Sequence, residues 1–276
     1  MRSGGSHGLA HWAAAPDEAI DLAEVALELV ALEVPGGGGA SLTPYRFHLA
    51  EIAGHMRSRA ALLPAHLDDH IVLLTEIVHD MFGYRGAVAR GESHVTLMCT
   101  IEGRQGMPVT LGILYLHAAR AAGWLATGLT FPGRFLVRVQ TAHGQRAVLD
   151  PFAKGEPLTS RRMRRLLKEA LGPTAELTQA HYQPLNNRET LLRLQDDLKT
   201  QSLQAGRFDA ALDVLETMLL LAPDTPALWR EAGMIHRRLG HVAAAVSALE
   251  RFLSLAPDSP IRRRTAELLN ELYGRL

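Results

Sequence analysis

The chain has 276 residues, enough for about two domains at roughly 150 residues each. Hydrophobic side chains make up 47% and charged ones 21%, which excludes a disordered chain and supplies enough apolar surface for real cores. The 29 basic and 29 acidic residues cancel, so no global field draws the chain to nucleic acid or an anionic membrane, and a single cysteine, Cys99, excludes an internal disulfide and a thiolate zinc site, which fits a reducing, cytoplasmic setting.

Residues 1–16 are rich in Gly, Ser and Ala, lack the apolar core of a secretory signal, and read as a flexible tail. No window reaches the ~18 continuous apolar residues of a membrane span. From Asp17 to Val34 apolar side chains fall on nearly every side (Ile20, Leu22, Val25, Leu27, Leu29, Val30), the pattern of a helix buried on most faces. Pro35 and the run Gly36 to Gly39 end it as a linker, since the Gly-Lys-Ser/Thr that completes a phosphate loop is missing. Helical spacing then predicts helices over about 45–59, 64–82, 94–102 and 109–122. His66 and His70 stand at i and i+4, but Leu67 occupies the place of the metalloprotease glutamate, so the pair reads as a solvated helix start and no metal or other cofactor is expected.

After Gly123 the period changes from helix to strand. In Phe135–Gln140, Phe135, Val137 and Val139 share one face while Arg138 and Gln140 share the other, a strand with one solvated side. Leu125–Phe131 and Gln145–Leu149 are its expected neighbours, with turns at Pro132-Gly133 and Ala142-His143-Gly144, giving a small antiparallel sheet packed on helices. Arg161, Arg162, Arg164, Arg165 and the run Arg262 to Arg264 carry no interleaved aromatics for base stacking. They read as solvated helix faces, which disfavours nucleic acid and leaves room for an acidic protein partner.

Beyond Asn186 the helical pattern repeats. Leu221-Ala222-Pro223-Asp224-Thr225-Pro226 recurs as Leu255-Ala256-Pro257-Asp258-Ser259-Pro260, and the pairs Gly206/Gly240, Ala211/Ala245 and Leu215/Leu249 share the same 34-residue offset. That is the length of a tetratricopeptide helix–turn–helix unit, and Ile261–Leu276 reads as the lone helix that caps the stack.

The stretch Glu102-Gly103-Arg104-Gln105-Gly106-Met107-Pro108-Val109-Thr110-Leu111, the helix after it, Phe131-Pro132-Gly133-Arg134-Phe135 and Leu149-Asp150-Pro151-Phe152 together resemble the transglutaminase-like proteins of the bacterial SirB type, which join such a region to a tetratricopeptide tail. The resemblance implies an α+β fold: a helical, papain-like domain with a small antiparallel sheet at 17–180, then an all-α domain of two repeats and a cap at 186–276. It also places three positions. A papain-like core opens a helix with a Cys nucleophile and sets His and Asp on successive strands. Here the resemblance puts Pro108, Arg134 and Asp150 at those places; SirB-type members commonly share the proline but usually keep a histidine where this chain has Arg134. Proline offers no nucleophile, and a guanidinium with a pKa above ~12 has no lone pair for general-base work.

Cys99 lies inside the preceding apolar helix and reads as a buried, inert thiol, and Thr110 as a cap or first-turn residue. Asp150, followed by Pro151, either caps the chain's exit from its strand or pairs with Arg134. The expected protein is therefore non-catalytic, binding a protein or peptide through its repeat groove. The competing expectation is an amide-bond hydrolase or peptidase using non-standard residues around Asp150, His94 or Tyr115.

Overall fold

In the computed structural model, residues 11–33, 41–63, 66–87 and 96–274 are described; the expected linker at Pro35 to Gly39, His94 and the first ten residues lie outside them. Residues 11–14, expected to be part of a loose tail, form a helical turn in which Ala15 N donates to the His11 carbonyl at 3.1 Å. The chain divides into two compact units: the first is built from Pro16–Ala31 and Gly36–Leu194, and the second from Gln195–Leu276 together with the residues before Pro16 and Leu32–Pro35.

Helix α1 (Leu22–Glu33), in the first unit as far as Ala31, begins five residues after its apolar pattern does. Asp21 Oδ1 accepts the N–H groups of Ala23 and Glu24 at 3.0 and 3.1 Å, and this cap fixes the start. Ahead of it Asp17–Ala19 form a 3-10 turn. Val25, Ala26 and Leu27 are sealed from solvent, as an all-round apolar helix requires. Helix α2 (Thr43–Ala60) buries Leu49, Ile52, Ala53 and Met56. The single helix expected over 64–82 is instead α3 (Leu67–Thr75) continued by a π-helical turn, Glu76–Met81, closed by Phe82 N donating to the Ile77 carbonyl at 3.0 Å.

Two short strands, β1 (Arg85–Gly86) and β2 (Gln105–Gly106), pair in parallel and flank α4 (Leu97–Gly103). Helix α5 (Pro108–Ala121) runs through the centre: ten of its 14 residues are buried, including Leu111, Ile113, Leu114 and Tyr115. Beside it lies a five-stranded antiparallel sheet, β3 (Leu125–Leu129), β4 (Leu136–Gln140), β5 (Arg146–Asp150), β6 (Glu156–Pro157) and β7 (Pro184–Leu185), in the order β6-β5-β4-β3-β7. The three expected strands pair in sequence, with Val137 opposite both Gly128 and Leu149. The expected solvated side of β4 is only partly so. Leu136 is fully buried, because α6 (Ser160–Leu171) lays Met163, Leu166 and Leu167 over it together with Leu129 and Phe131.

Helix α7 (Asn187–Gln204) starts in the first unit, where the Asp17 carboxylate accepts the N–H groups of Asn187 and Arg188 at 2.8 and 2.9 Å. The second unit continues with α8 (Phe208–Leu221), α9 (Pro226–Arg238), α10 (Val242–Leu255) and α11 (Pro260–Tyr273). The positions sharing the 34-residue offset are structurally equivalent. Gly206 and Gly240 turn the chain at φ +71° and +79°, and Ala211, Ala245, Leu215 and Leu249 are all fully buried. Helix α11 closes the stack by placing Leu269 and Leu272 against Ala245, Val246 and Leu249. Arg262, expected on a solvated face, is half-buried and donates from Nη2 to the Leu253 carbonyl at 3.1 Å. No helix among the described residues is long and apolar enough to cross a membrane.

Candidate functional site

Pro108 is the first residue of α5, a place proline suits because its fixed φ fits the first turn and its missing N–H is not needed there. The turn is locked from within. Thr110 Oγ1 donates to the Met107 carbonyl at 3.1 Å and accepts from Thr100 Oγ1 at 2.9 Å, so Thr110 is a buried first-turn residue. Upstream, Arg104 Nη1 donates to the Tyr84 hydroxyl at 2.8 Å and also to His48 Nε2, which lies 2.7 Å from the same hydroxyl. Burial, and then the Arg104 charge, lower the His48 pKa; burial pushes Tyr84 up to about 12. This knot ties α2 to the segment that enters α5.

Arg134 and Asp150 meet. Arg134 stands just before β4 and Asp150 ends β5; Arg134 Nη1 lies 3.6 Å from Asp150 Oδ2, with the aspartate 2% exposed and the arginine 28%. Asp150 also does the capping work its Pro151 suggested: Oδ1 accepts the N–H groups of Phe152 and Ala153 at 3.0 and 3.3 Å, starting the 3-10 turn Pro151–Ala153. The two alternatives for this residue therefore coexist, one carboxylate oxygen per role. Burial raises the Asp150 pKa against the opposing pull of Arg134 and the two backbone donors. The Arg134 guanidinium also lies over the Phe152 ring, 4.9 Å from its centroid.

Against Tyr115 of α5 sits a polar group that sequence patterning missed. His79 Nδ1 donates to the Tyr84 carbonyl at 2.7 Å, so in the neutral ring Nε2 carries the lone pair, and that buried atom has no hydrogen-bond partner among the described residues. Its ring centroid is 5.5 Å from that of Tyr115, whose fully buried hydroxyl is raised in pKa by burial. The hydroxyls of Tyr115 and Thr75 face the place where a side chain on Gly155 would stand: a Cβ there would lie 2.2 and 2.9 Å from them. Helical spacing places Ile77 and Val78 in the core, and the π-helical turn brings His79 inward with them. The signal available in the sequence was only a histidine within an apolar run.

The remaining candidates are dispersed. Cys99 lies in the first turn of α4, half-buried, its N–H donating to the capping Thr96 Oγ1 at 3.2 Å. This corrects the expected mid-helix, buried thiol, because Thr96 starts the helix later than the apolar period does. His66 is exposed at the start of α3, whereas His70 is buried and stacks on Trp124 with ring centroids 3.8 Å apart, so the pair is not the solvated couple expected. Among the described residues no three His, Cys, Asp or Glu side chains are grouped to hold a metal ion.

The chain is similar to known proteins. The chain is 34% identical over 143 residues to a UPF0162 protein of Xylella fastidiosa (strain Temecula1), covering 51% of this chain and 50% of that protein. It is 27% identical over 180 residues to the protein SirB1 of Salmonella typhimurium, 64% of this chain and 66% of SirB1, and 27% identical over 186 residues to the UPF0162 protein YchA of Escherichia coli K12, 66% and 68%. The chain thus spans about half the length of the Xylella relative it matches. Residues 198–270 match the tetratricopeptide repeat family. Residues 43–196, more than half of the chain, match the family described as the transglutaminase-like superfamily, and the chain belongs to it.

Proposed function

We propose that this chain is a non-catalytic, protein-binding or regulatory protein of the cytoplasm, in which a transglutaminase-like domain has lost its chemistry and the tetratricopeptide repeats bind a protein or peptide. The observation that carries the reading is the 3.6 Å approach of Arg134 to Asp150. In a papain-like site the aspartate orients a histidine; here it faces a permanent cation that can accept no proton. Pro108 adds no nucleophile at the helix start, and Cys99 lies on a different helix. The domain then serves as a scaffold, with residues 17–180 forming it and 186–276 carrying the repeats.

The test is an acyl-transfer and amide-hydrolysis assay on the full chain with glutamine-containing peptides and an electrophilic amide probe. No turnover is expected from the native chain or from Arg134→His, since restoring a base leaves no nucleophile. Covalent trapping of Cys99 that disappears in Cys99→Ala and on mild denaturation would overturn the reading. A second reading, hydrolysis by non-standard residues, draws on the unused Nε2 lone pair of His79 beside Tyr115. Turnover abolished by His79→Gln in a folded protein would favour it.

A further inference from the structure

Helix α6 has an outer face that the proposed function does not use. Its inner residues Met163, Leu166 and Leu167 are committed to the sheet core. Arg161, Arg164, Arg165 and Lys168 are exposed, at spacings that align them along about 10 Å of one helix face. Ser160–Leu171 carries five basic residues against one acidic, in a chain whose charges otherwise balance. Among the described residues no carboxylate forms an ion pair with any of these four cations.

Arg164, Arg165, Lys168, Glu169 and Pro173 border an open groove of about 450 Å³ whose walls are mostly carbon, the alkyl stems of the basic side chains and the proline ring, and Leu171 is 56% exposed at the helix end. We infer that this face docks a short acidic segment of a partner polypeptide, one with carboxylates flanking a leucine or phenylalanine. The carboxylates meet the cations and the apolar side chain lies on the stems. A nucleic-acid backbone would use the charges and leave the carbon floor idle, with no aromatic in Ser160–Leu171 for base stacking. A bilayer requires the apolar face of a basic amphipathic helix, and here that face is already buried on the sheet.

The experiment measures fluorescence anisotropy of a labelled peptide alternating glutamate and leucine, titrated with the full chain. Comparison ligands are a lysine–leucine peptide, a duplex oligonucleotide and phosphatidylserine vesicles. Salt-sensitive binding of the acidic peptide is expected, weakened about tenfold or more by Arg164→Glu with Arg165→Glu. Should that variant lose its circular dichroism, Arg164→Gln with Lys168→Gln keeps the test intact, with a smaller loss in the same direction. Absent peptide binding, binding unchanged in folded variants, a preference for duplex or vesicles, or self-association through this face would each overturn the inference.

Discussion

The two units treat their most deeply buried ionisable groups differently. The repeat unit has Lys199, its Nζ 2.9 Å from Asp196 and also paired with Glu231, the lysine side chain 6% exposed and both acidic side chains 43%. Its pKa stays raised even though burial pulls it down, because the hydrogen bonds and charges of Glu231 and Asp196 outweigh burial. In the transglutaminase-like unit desolvation prevails at the buried groups instead: His48, His70 and His79 are lowered and Asp150 is raised, whereas in the repeat unit it prevails at the less buried His236 and Glu216. A stack of like units is stabilised by neighbours and tolerates a solvent-edged ion pair, whereas a domain closed around α5 traps polar groups between elements distant in sequence.

The largest effect expected from breaking this contrast is removal of residues 260–276. At roughly 1.5–3 kcal/mol for each buried leucine, losing Leu269 and Leu272 and baring Leu249 costs about 5 kcal/mol or more. The truncated chain should lose more helix, by circular dichroism, than the deleted segment contains, or aggregate. A soluble truncation with an unchanged melting profile would show that α11 is not a cap.

Next in size is Asp150→Ala, which removes the acceptor of two backbone N–H groups and the partner of Arg134, for about 2–3 kcal/mol. Asp150→Asn keeps an acceptor and should cost less. The coupling energy from an Arg134→Leu and Asp150→Asn cycle should be about 1 kcal/mol, well below the 3–5 kcal/mol of a fully buried pair, since Arg134 remains 28% exposed. Strict additivity in chemical denaturation would assign Arg134 to the Phe152 ring rather than to the aspartate.

Acid should separate the units further. A histidine with a folded pKa below its unfolded value of about 6.5 contributes stability that is complete above that value and is lost as pH falls toward the folded one. Three such histidines lie in the first unit, while His236 is the counterpart among the described residues of the second. Protection factors from hydrogen exchange, corrected for the intrinsic pH dependence and resolved by segment, should therefore fall more in residues 41–194 than in 195–274 below about pH 6.5. Asp150 runs the other way. Its raised pKa contributes stability that is complete below about 4, the ordinary carboxylate value, and lost as pH rises through the folded value, so Asp150→Asn should flatten that part of the profile. Equal acid sensitivity in the two units would contradict the assignment.

The smallest effect is the sharpest test of the repeat. Ala at Gly206 or Gly240 meets open space but must hold a positive φ, costing about 1–2 kcal/mol at each. Losses differing by more than that in thermal unfolding would mean the two turns are not equivalent.

By itself the sequence determined what depends on near neighbours or on side-chain chemistry alone. The 34-residue period specified the helix pairs, because Gly206, Ala211 and Leu215 act through contacts within one unit and its successor. The alternation in Val137–Gln140 specified the central strand pairing, and the identities Pro108 and Arg134 put neither a nucleophilic nor a general-base side chain at those two positions. The tertiary structure alone decided the rest. Leu136 is buried because a helix more than 20 residues later covers it, Cys99 sits in a first turn because Thr96 caps there, and His79 turns inward on a π-helical turn. The two roles of Asp150 likewise needed the fold, since only the packing of β4 beside β5 brings Arg134 to its second oxygen. A period is written within a few helical turns, but the pairing of groups far apart in sequence is set by the chain's closure around its core.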